Sequence, residues 1–562
     1  MSGLAAALEK DGKGKKAEIV KQLISTENQR SMFRKLAAIN KKNQDLSTKS
    51  ITIQSEKGPI EVTDKLQMER AIINANKDKY HQTEASCPFM KPPLKNHFGD
   101  LGKGPATSDV LKGHYSPNSL LSAHTKDYIE LCRLPQDEPF INPLTCSFSY
   151  FTKSWKRMKE QTSISGNHFG HYKAATKNDS IMKLHYLLAK IPFRTGYSSL
   201  RWKEATNVMI LKKEGNTNVD KLRILVLFET DFNHNNKFLG RSMMQHMCDK
   251  SHLVTEQYSA PGRKCIDHVI NRELYFDLIR YQKTSGGMAA VDLKSCYDRV
   301  LHAPAYLAMR SYGIPSAPIE SMFQTIQDMK YFTFTFHGKS KISFGGKEKG
   351  YSAAPNGLGQ GNGGAPSAWS IVSLKMFEVM HKRGMATTIT SPITKSSVEV
   401  CGFAYVDDTD LITMQENNCH TDAKNHMQET INEWEAVSKV TGGALVPSKC
   451  WSWIIAFEWD GDRWCYKDTS SPENPMTVKN EKGMAEAIKS MSASEAQEML
   501  GVMLSPDGSQ TAQYEKSKEK MERFAEYIRT GHVTCKEAWL SLNMMAMKSF
   551  EYVLPAMTWT KK

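Results

Sequence analysis

The sequence predicts an α+β fold, and three observations point to it. Helical apolar spacing dominates from about residue 125 to 190. Residues 202–228 and 398–414 each read instead as two β runs about a turn, which makes them hairpins of antiparallel strands. The apolar run MAAVD, residues 288–292, reads as a buried strand delivering one carboxylate at its end. A chain of 562 residues has room for roughly three or four packing units at ~150 residues each. Internal repeats and long low-complexity tracts are absent from the sequence, which sets solenoids and propellers aside.

Taken in order, the first fifty residues hold 11 Lys and Arg against 5 Asp and Glu. Val20, Leu23, Ile24, Phe33, Leu36 and Ala37 fall mostly at helical spacing, so a basic amphipathic helix is expected from Ala17 to about Asn43. Asp64 with Gln67 begins a second, short helix through Ala71 and Ile72. Residues 86–120 are rich in Pro, Gly, Lys and Ser and read as a linker or an extended arm. After the helical stretch, NVMILKK and KLRILVLF flank the turn-rich EGNTNVD, a hairpin with a polar tip. SAWSIVSLKMF, residues 367–377, reads as a buried helix. A later helix carries Met427, Ile431, Trp434 and Val437 and ends at Gly442-Gly443.

Lys and Arg number 74 against 60 Asp and Glu, a net charge of +14 and a pI near 9.0, which favours polyanionic partners. Apolar runs all fall short of the ~18 residues a membrane span needs, so a membrane protein is not expected. The opening residues lack an apolar region long enough for secretion, so the 11 Cys read as intracellular thiols, nuclear or cytoplasmic.

Val406-Asp407-Asp408 sits between β-rich flanks, so two adjacent carboxylates fall at a hairpin turn. Turn aspartates are common, and a lone Asp292 at a strand end is usually a cap. Together they have another use: Mg2+ is a hard ion bound by one or two carboxylates plus substrate phosphates, and two such ions clamp a phosphoryl transfer. Asp292 and Asp407 fit such a clamp. Between them lies GLGQGNGGAP, residues 357–366. Glycine permits positive φ and close backbone approach, so this loop can lie against a base pair or sugar and offer Gln360, beside Gly361, as a polar contact.

These segments, in this order, resemble the palm motifs of reverse transcriptases. VDLKSCYD is similar to the first motif, GLGQGNGGAP to the second and AYVDD to the third; ALVPSKCWSW resembles the fourth, with Lys449 as its lysine. EMLGVMLSPDGS resembles the Leu-Gly hairpin joining palm to thumb, and the resemblance spans about residues 180–560. It implies a right-hand polymerase: fingers, an antiparallel palm sheet backed by helices, a thumb, and a helical N-terminal extension. The implied divisions are residues 1–120 for a basic helical extension and linker, 121–290 for a helical region and fingers, 291–505 for the palm with part of the fingers, and 506–562 for a short thumb. It also implies DNA synthesis on an RNA, or DNA, template from a DNA primer and deoxynucleotides, with two Mg2+, or Mn2+, on Asp292, Asp407 and Asp408. Lys212 or its neighbour Lys213, with Arg223, would hold the triphosphate. Gln360 and Gly361 would line the nucleotide site, and Lys449 would serve the leaving pyrophosphate. Tyr297, five residues past Asp292, would lie under the sugar and exclude a 2′ hydroxyl.

The Tyr297-Asp298 pair leans towards non-LTR or group II intron-type enzymes. Additional segments suggesting an RNase H, integrase or endonuclease domain are not visible, so a retroelement polymerase unit or a piece of a larger polyprotein is expected. Two rivals stay open: an RNA-dependent RNA polymerase, in which another Asp is typical where Tyr297 stands, and an inactive retroelement copy that only binds nucleic acid. His246, Cys248 and His252, like His168 and His171, lack the paired-Cys spacing of zinc sites and are expected to be core or surface histidines. Asp410 is expected to cap or pair within its hairpin, and Asp298 to order the first motif's turn.

Overall fold

A computed structural model describes residues 2–22, 24–25, 48–55, 58–83, 86–134, 147–158, 164–346, 351, 354–469 and 474–558. Two compact units make up the chain: residues 46–495, and residues 1–45 with 496–562. The expected helix from Ala17 to Asn43 is helical through residue 22 and at residues 24–25, and its remainder lies outside the described residues. Among the described residues there is no helix long and apolar enough to cross a membrane.

In the larger unit the elements that position the site are α1 (Lys65–His81), β1 (Glu204–Ile210), β2 (Arg223–Leu227), α2 (Thr230–Asp249), α3 (Cys265–Gln282) and β3 (Gly286–Val291). They continue with β4 (Lys330–Thr335), β5 (Gly338–Phe344), α4 (Ala365–Lys382), β6 (Gly402–Tyr405), β7 (Asp408–Met414), α5 (His420–Thr441), β8 (Trp451–Ile455) and β9 (Lys489–Met491). A five-stranded sheet runs β6-β7-β3-β8-β9, antiparallel except for the parallel edge strand β9. A four-stranded sheet runs β2-β1-β4-β5, with β1 and β4 parallel. Helices and mostly antiparallel sheets together are the α+β class expected.

Local chemistry explains the elements. Asp64 caps α1 by accepting the Gln67 N–H at 2.9 Å. The apolar spacing carries α1 beyond Ile72 to His81, burying Met68, Ile72, Ile73 and Tyr80. Met427, Ile431, Trp434 and Val437 form one wholly buried stripe of α5, against which the five-stranded sheet packs. That helix stops at Gly442, whose φ of +99° suits the left-handed cap. Helix α4 is buried along almost its whole length, consistent with its unbroken apolar run.

Residues 86–120 are not a linker. They form short helical turns at Pro88–Met90, Leu94–Phe98 and Thr107–Lys112. Phe89, Leu94, Phe98 and Val110 are buried in the main core. Anchors at irregular spacing dock a segment whose proline and glycine content reads as unstructured.

In the smaller unit, Gln497–Met499 and Val502–Leu504 pair as a hairpin turning on Leu500 and Gly501, both at positive φ, and Thr511–Thr530 follows as a helix. The boundary between the units falls before this hairpin, at residues 495 and 496.

Candidate active site

Asp292 follows the last residue of β3, and its place is set by pairing with a distant segment. Val446 N–H donates to the Asp292 carbonyl at 3.0 Å, and Lys294 N–H donates to the Ala444 carbonyl at 2.8 Å. This pairing leads into the turn Pro447–Lys449, so Lys449 Nζ reaches Asp292 Oδ1 at 2.7 Å. On the other side β7 pairs with β3 in the register Thr409 to Val291. One more antiparallel step brings Asp408 opposite Asp292.

The turn between β6 and β7 joins Tyr405 to Asp408 through two residues, Val406 and Asp407. Val406 has φ +61°, at the position where a type II′ hairpin turn ordinarily carries glycine. A β-branched residue there stores about 1–3 kcal/mol of strain. Two contacts hold it: Trp369 Nε1 donates to the Val406 carbonyl at 2.6 Å, and Val406 N–H donates to Gln257 Oε1 at 3.3 Å.

The charges of these groups act on one another. Desolvation by the surrounding protein, then the Asp292 carboxylate, push the Asp407 carboxyl up, while Lys449 and Lys212 pull it down. Asp408 is likewise raised by desolvation and then by Asp407, against Arg272. Lys212 is lowered, first by desolvation and then by the nearby Lys449 and Arg223 cations. Burial, then Asp407, raise the Tyr297 hydroxyl well above its ordinary value. Asp292, Asp407, Asp408, Lys449, Lys212, Arg223 and Tyr297 are therefore brought together. Lys213 is exposed and takes part in the hairpin tip through its carbonyl, which accepts from Asn216 N–H. Three carboxylates gathered at one place, with Asp407 and Asp408 raised by burial and by their acidic neighbours, suit a hard divalent cation such as Mg2+.

The glycine loop packs on both neighbours. Gly357 has φ +94°, and a Cβ there would stand 2.9 Å from backbone atoms of Tyr297 and Asp298, so glycine allows the loop to lie on the Tyr297 turn. Leu358 N–H donates to the Tyr297 carbonyl at 2.7 Å. At the other end Val226 N–H in β2 donates to the Gln360 carbonyl at 2.7 Å. A Cβ on Gly361 would stand 2.3 Å from the Val226 carbonyl oxygen. Asn233 of α2 closes the loop, donating to the Gly361 carbonyl and accepting from Gly363 N–H.

Two expectations change. The Asp410 side chain does not pair within its hairpin: it is buried in an ion pair with Arg272 of α3, with His268 Nε2 at 3.4 Å. Burial lowers the Arg272 guanidinium to about 9. Asp298, besides its backbone bond to Ser295, is buried and held by Lys79 of α1 at 3.4 Å. Lys79, Lys294 and Ser295 line a cavity of about 340 Å³ beside this turn. Sequence reading missed Lys79 because the helix was drawn too short; extending its apolar stripe to Tyr80 puts Lys79 on α1, and the fold alone brings it to Asp298. Of the histidines set aside as metal ligands, His246 is bonded to the Tyr312 carbonyl and His168 caps a helix by accepting from Gly170 N–H.

Residues 210–450 match the family model described as reverse transcriptase (RNA-dependent DNA polymerase). These residues are a reverse transcriptase domain. The comparison with curated proteins gives no match. The reverse transcriptase domain contains every candidate residue from Lys212 to Lys449, whereas Lys79 lies outside it. Its activity is RNA-directed DNA polymerisation, a nucleotidyl transfer, on a nucleic-acid template and primer with nucleotide substrates. Reverse transcriptases use divalent metals, generally Mg2+.

Proposed function

We propose that this chain synthesises DNA on an RNA or DNA template by two-metal nucleotidyl transfer, as a retroelement-type reverse transcriptase of the non-LTR or group II intron-like kind. The observation that carries the reading is the convergence of Asp292 and the Asp407-Asp408 turn, with Lys449 and Lys212 beside them. In this reading the five-stranded sheet is the palm, the four-stranded sheet belongs to the fingers, and the unit containing residues 496–562 supplies the thumb.

Asp292, Asp407 and Asp408 would hold two divalent cations, Mg2+ or Mn2+, whose chemistry is to acidify the primer 3′ hydroxyl and neutralise the triphosphate. The carboxylates fix where that positive charge sits, and their mutual repulsion leaves them in need of it. Lys212 and Arg223, on the hairpin of β1 and β2, bind the triphosphate oxygens. The 3′ oxygen forms its bond to the α-phosphorus as the bond to the bridging oxygen breaks, and Lys449 Nζ is placed to give a proton to the departing pyrophosphate. Tyr297 walls the sugar, and Gln360 with Gly361 orders the loop beside the nucleotide.

Primer extension by the purified chain on an RNA template tests the reading. Extension with deoxynucleotides, dependent on Mg2+ and much faster than with ribonucleotides, is expected. A preference for ribonucleotides would mark an RNA polymerase, and template binding without extension would mark an inactive copy.

A further inference from the structure

Glu256, His381 and Cys401 come from three parts of the reverse transcriptase domain. Glu256 lies between α2 and α3, His381 in the last turn of α4, and Cys401 one residue before β6. One ligand atom from each lies within 4.8 Å of the other two. The Glu256 and Cys401 side chains are buried, while His381 is partly open to solvent. Glu256 Oε1 accepts from the Cys401 backbone N–H at 3.0 Å and meets His381 Nε2 at 2.6 Å. Its second oxygen, Oε2, is buried without a hydrogen-bond partner.

A glutamate–histidine ion pair accounts for Oε1 and leaves Oε2 and the thiol unexplained. An unpaired buried carboxylate oxygen is costly, and a cation is the partner that removes that cost while also using the sulfur. The donors are one thiol, one imidazole and one carboxylate, the mixture that zinc and neighbouring first-row ions take and that Mg2+ does not. Glu399 stands two residues before Cys401, in the strand Ser397–Val400 that ends just before it. Its charge reaches both His381 and Cys401, which offers a fourth ligand from the solvent side.

We propose that Glu256, His381 and Cys401 form a structural site for a zinc-class cation, completed by Glu399 or water. Binding displaces the Cys401 thiol proton, along with the His381 Nε2 proton, and replaces the Glu256–His381 hydrogen bond with bonds from both groups to the ion. The site fastens the end of α4 to the base of the Asp407-Asp408 hairpin. Glu256 already pairs there through its carbonyl, which accepts from Ala404 N–H at 2.8 Å, and Gln257 holds Val406. The ion is thereby a clamp on the turn and takes no part in the chemistry.

The test uses the full chain, stripped with a chelator and reloaded with zinc or cobalt(II). One zinc per chain by elemental analysis is expected, together with a sulfur-to-metal charge-transfer band in the cobalt protein. Cobalt on the oxygen-only site of Asp292, Asp407 and Asp408 gives no such band, which separates the two sites. Cys401→Ser should abolish the band, and Cys401→Ser and His381→Gln should each weaken zinc binding by at least about 10-fold. His381→Gln, at the partly exposed position, keeps the test open if Cys401→Ser does not fold. Failure of the wild-type chain to retain zinc, absence of the sulfur band, or unchanged zinc affinity in these variants overturns the proposal.

Discussion

Lys449 Nζ stands 2.7 Å from Asp292 Oδ1, an ammonium seated on the carboxylate at the end of β3. Both side chains are partly exposed, so the pair itself is worth little, on the order of 1 kcal/mol or less. Its interest is competition, since a divalent cation drawn to Asp292 must share that carboxylate with Lys449. Lys449→Ala should therefore lower the Mg2+ concentration needed for half-maximal extension by a few-fold. It should also lower kcat, because the proton donor to pyrophosphate is gone. A magnesium titration of primer extension reads both effects, and an unchanged Mg2+ midpoint with unchanged kcat would remove Lys449 from the site.

Gly361 has φ +119°, and a methyl group there would strike the Val226 carbonyl oxygen. Gly361→Ala should lift the loop from β2 and break the bond from Val226 N–H to the Gln360 carbonyl. The expected cost is about 1–3 kcal/mol of stability. The KM for nucleotide is expected to rise by about tenfold or more, about 1.4 kcal/mol in binding. Denaturant titration and steady-state kinetics on the same preparation check both.

His302 ties the start of that loop to the core. Its Nε2 donates to the Gly357 carbonyl at 2.7 Å, and its Nδ1 accepts from Gln327 Nε2 at 2.9 Å, an arrangement that needs the neutral ring. Burial lowers its pKa to about 4. An unfolded histidine titrates near 6.5, so stability from His302 is fully present above that pH and is lost as pH falls towards 4. The whole effect is on the order of 3 kcal/mol. Unfolding free energies between pH 7 and 4 should fall less steeply for His302→Gln than for wild type, by up to ~1.4 kcal/mol per pH unit. Parallel curves would mean that His302 is not the group titrating.

Tyr297 is half-buried, with its turn covered by Gly357 and Leu358. A ring held this firmly can exclude one extra oxygen from the sugar. Tyr297→Ala should raise ribonucleotide use relative to deoxynucleotide use by about tenfold or more, the equivalent of at least 1.4 kcal/mol. The ratio of kcat/KM values for a matched sugar pair is the measurement.

What could be read from residue order was local. The β7 hairpin, the Asp292 strand and the α5 stripe each announce themselves through spacing within one segment. Asp410 could not be placed that way, because its partner Arg272 sits on a helix far upstream and nothing near Asp410 signals it. The contact of Lys79 with Asp298 was hidden in the same way, since the two lie on segments far apart in the chain. Residues 86–120 were misread because Phe89, Leu94 and Phe98 dock without periodicity. The Glu256, His381 and Cys401 cluster has no sequence spacing at all, and only the fold assembles it.

In the proposed function, Asp292 and the Asp407-Asp408 turn form the catalytic centre. Primer extension by Asp407→Asn, measured beside wild type under saturating nucleotide and with primer-template binding followed on the same samples, tests it most directly. Loss of a carboxylate from such a centre removes several kcal/mol of transition-state stabilisation, so extension should fall by at least about 1,000-fold. Binding of the nucleic acid should stay within a few-fold of wild type. Extension at near wild-type rate in Mg2+ by this variant would mean that the Asp407 carboxylate is not part of the catalytic centre.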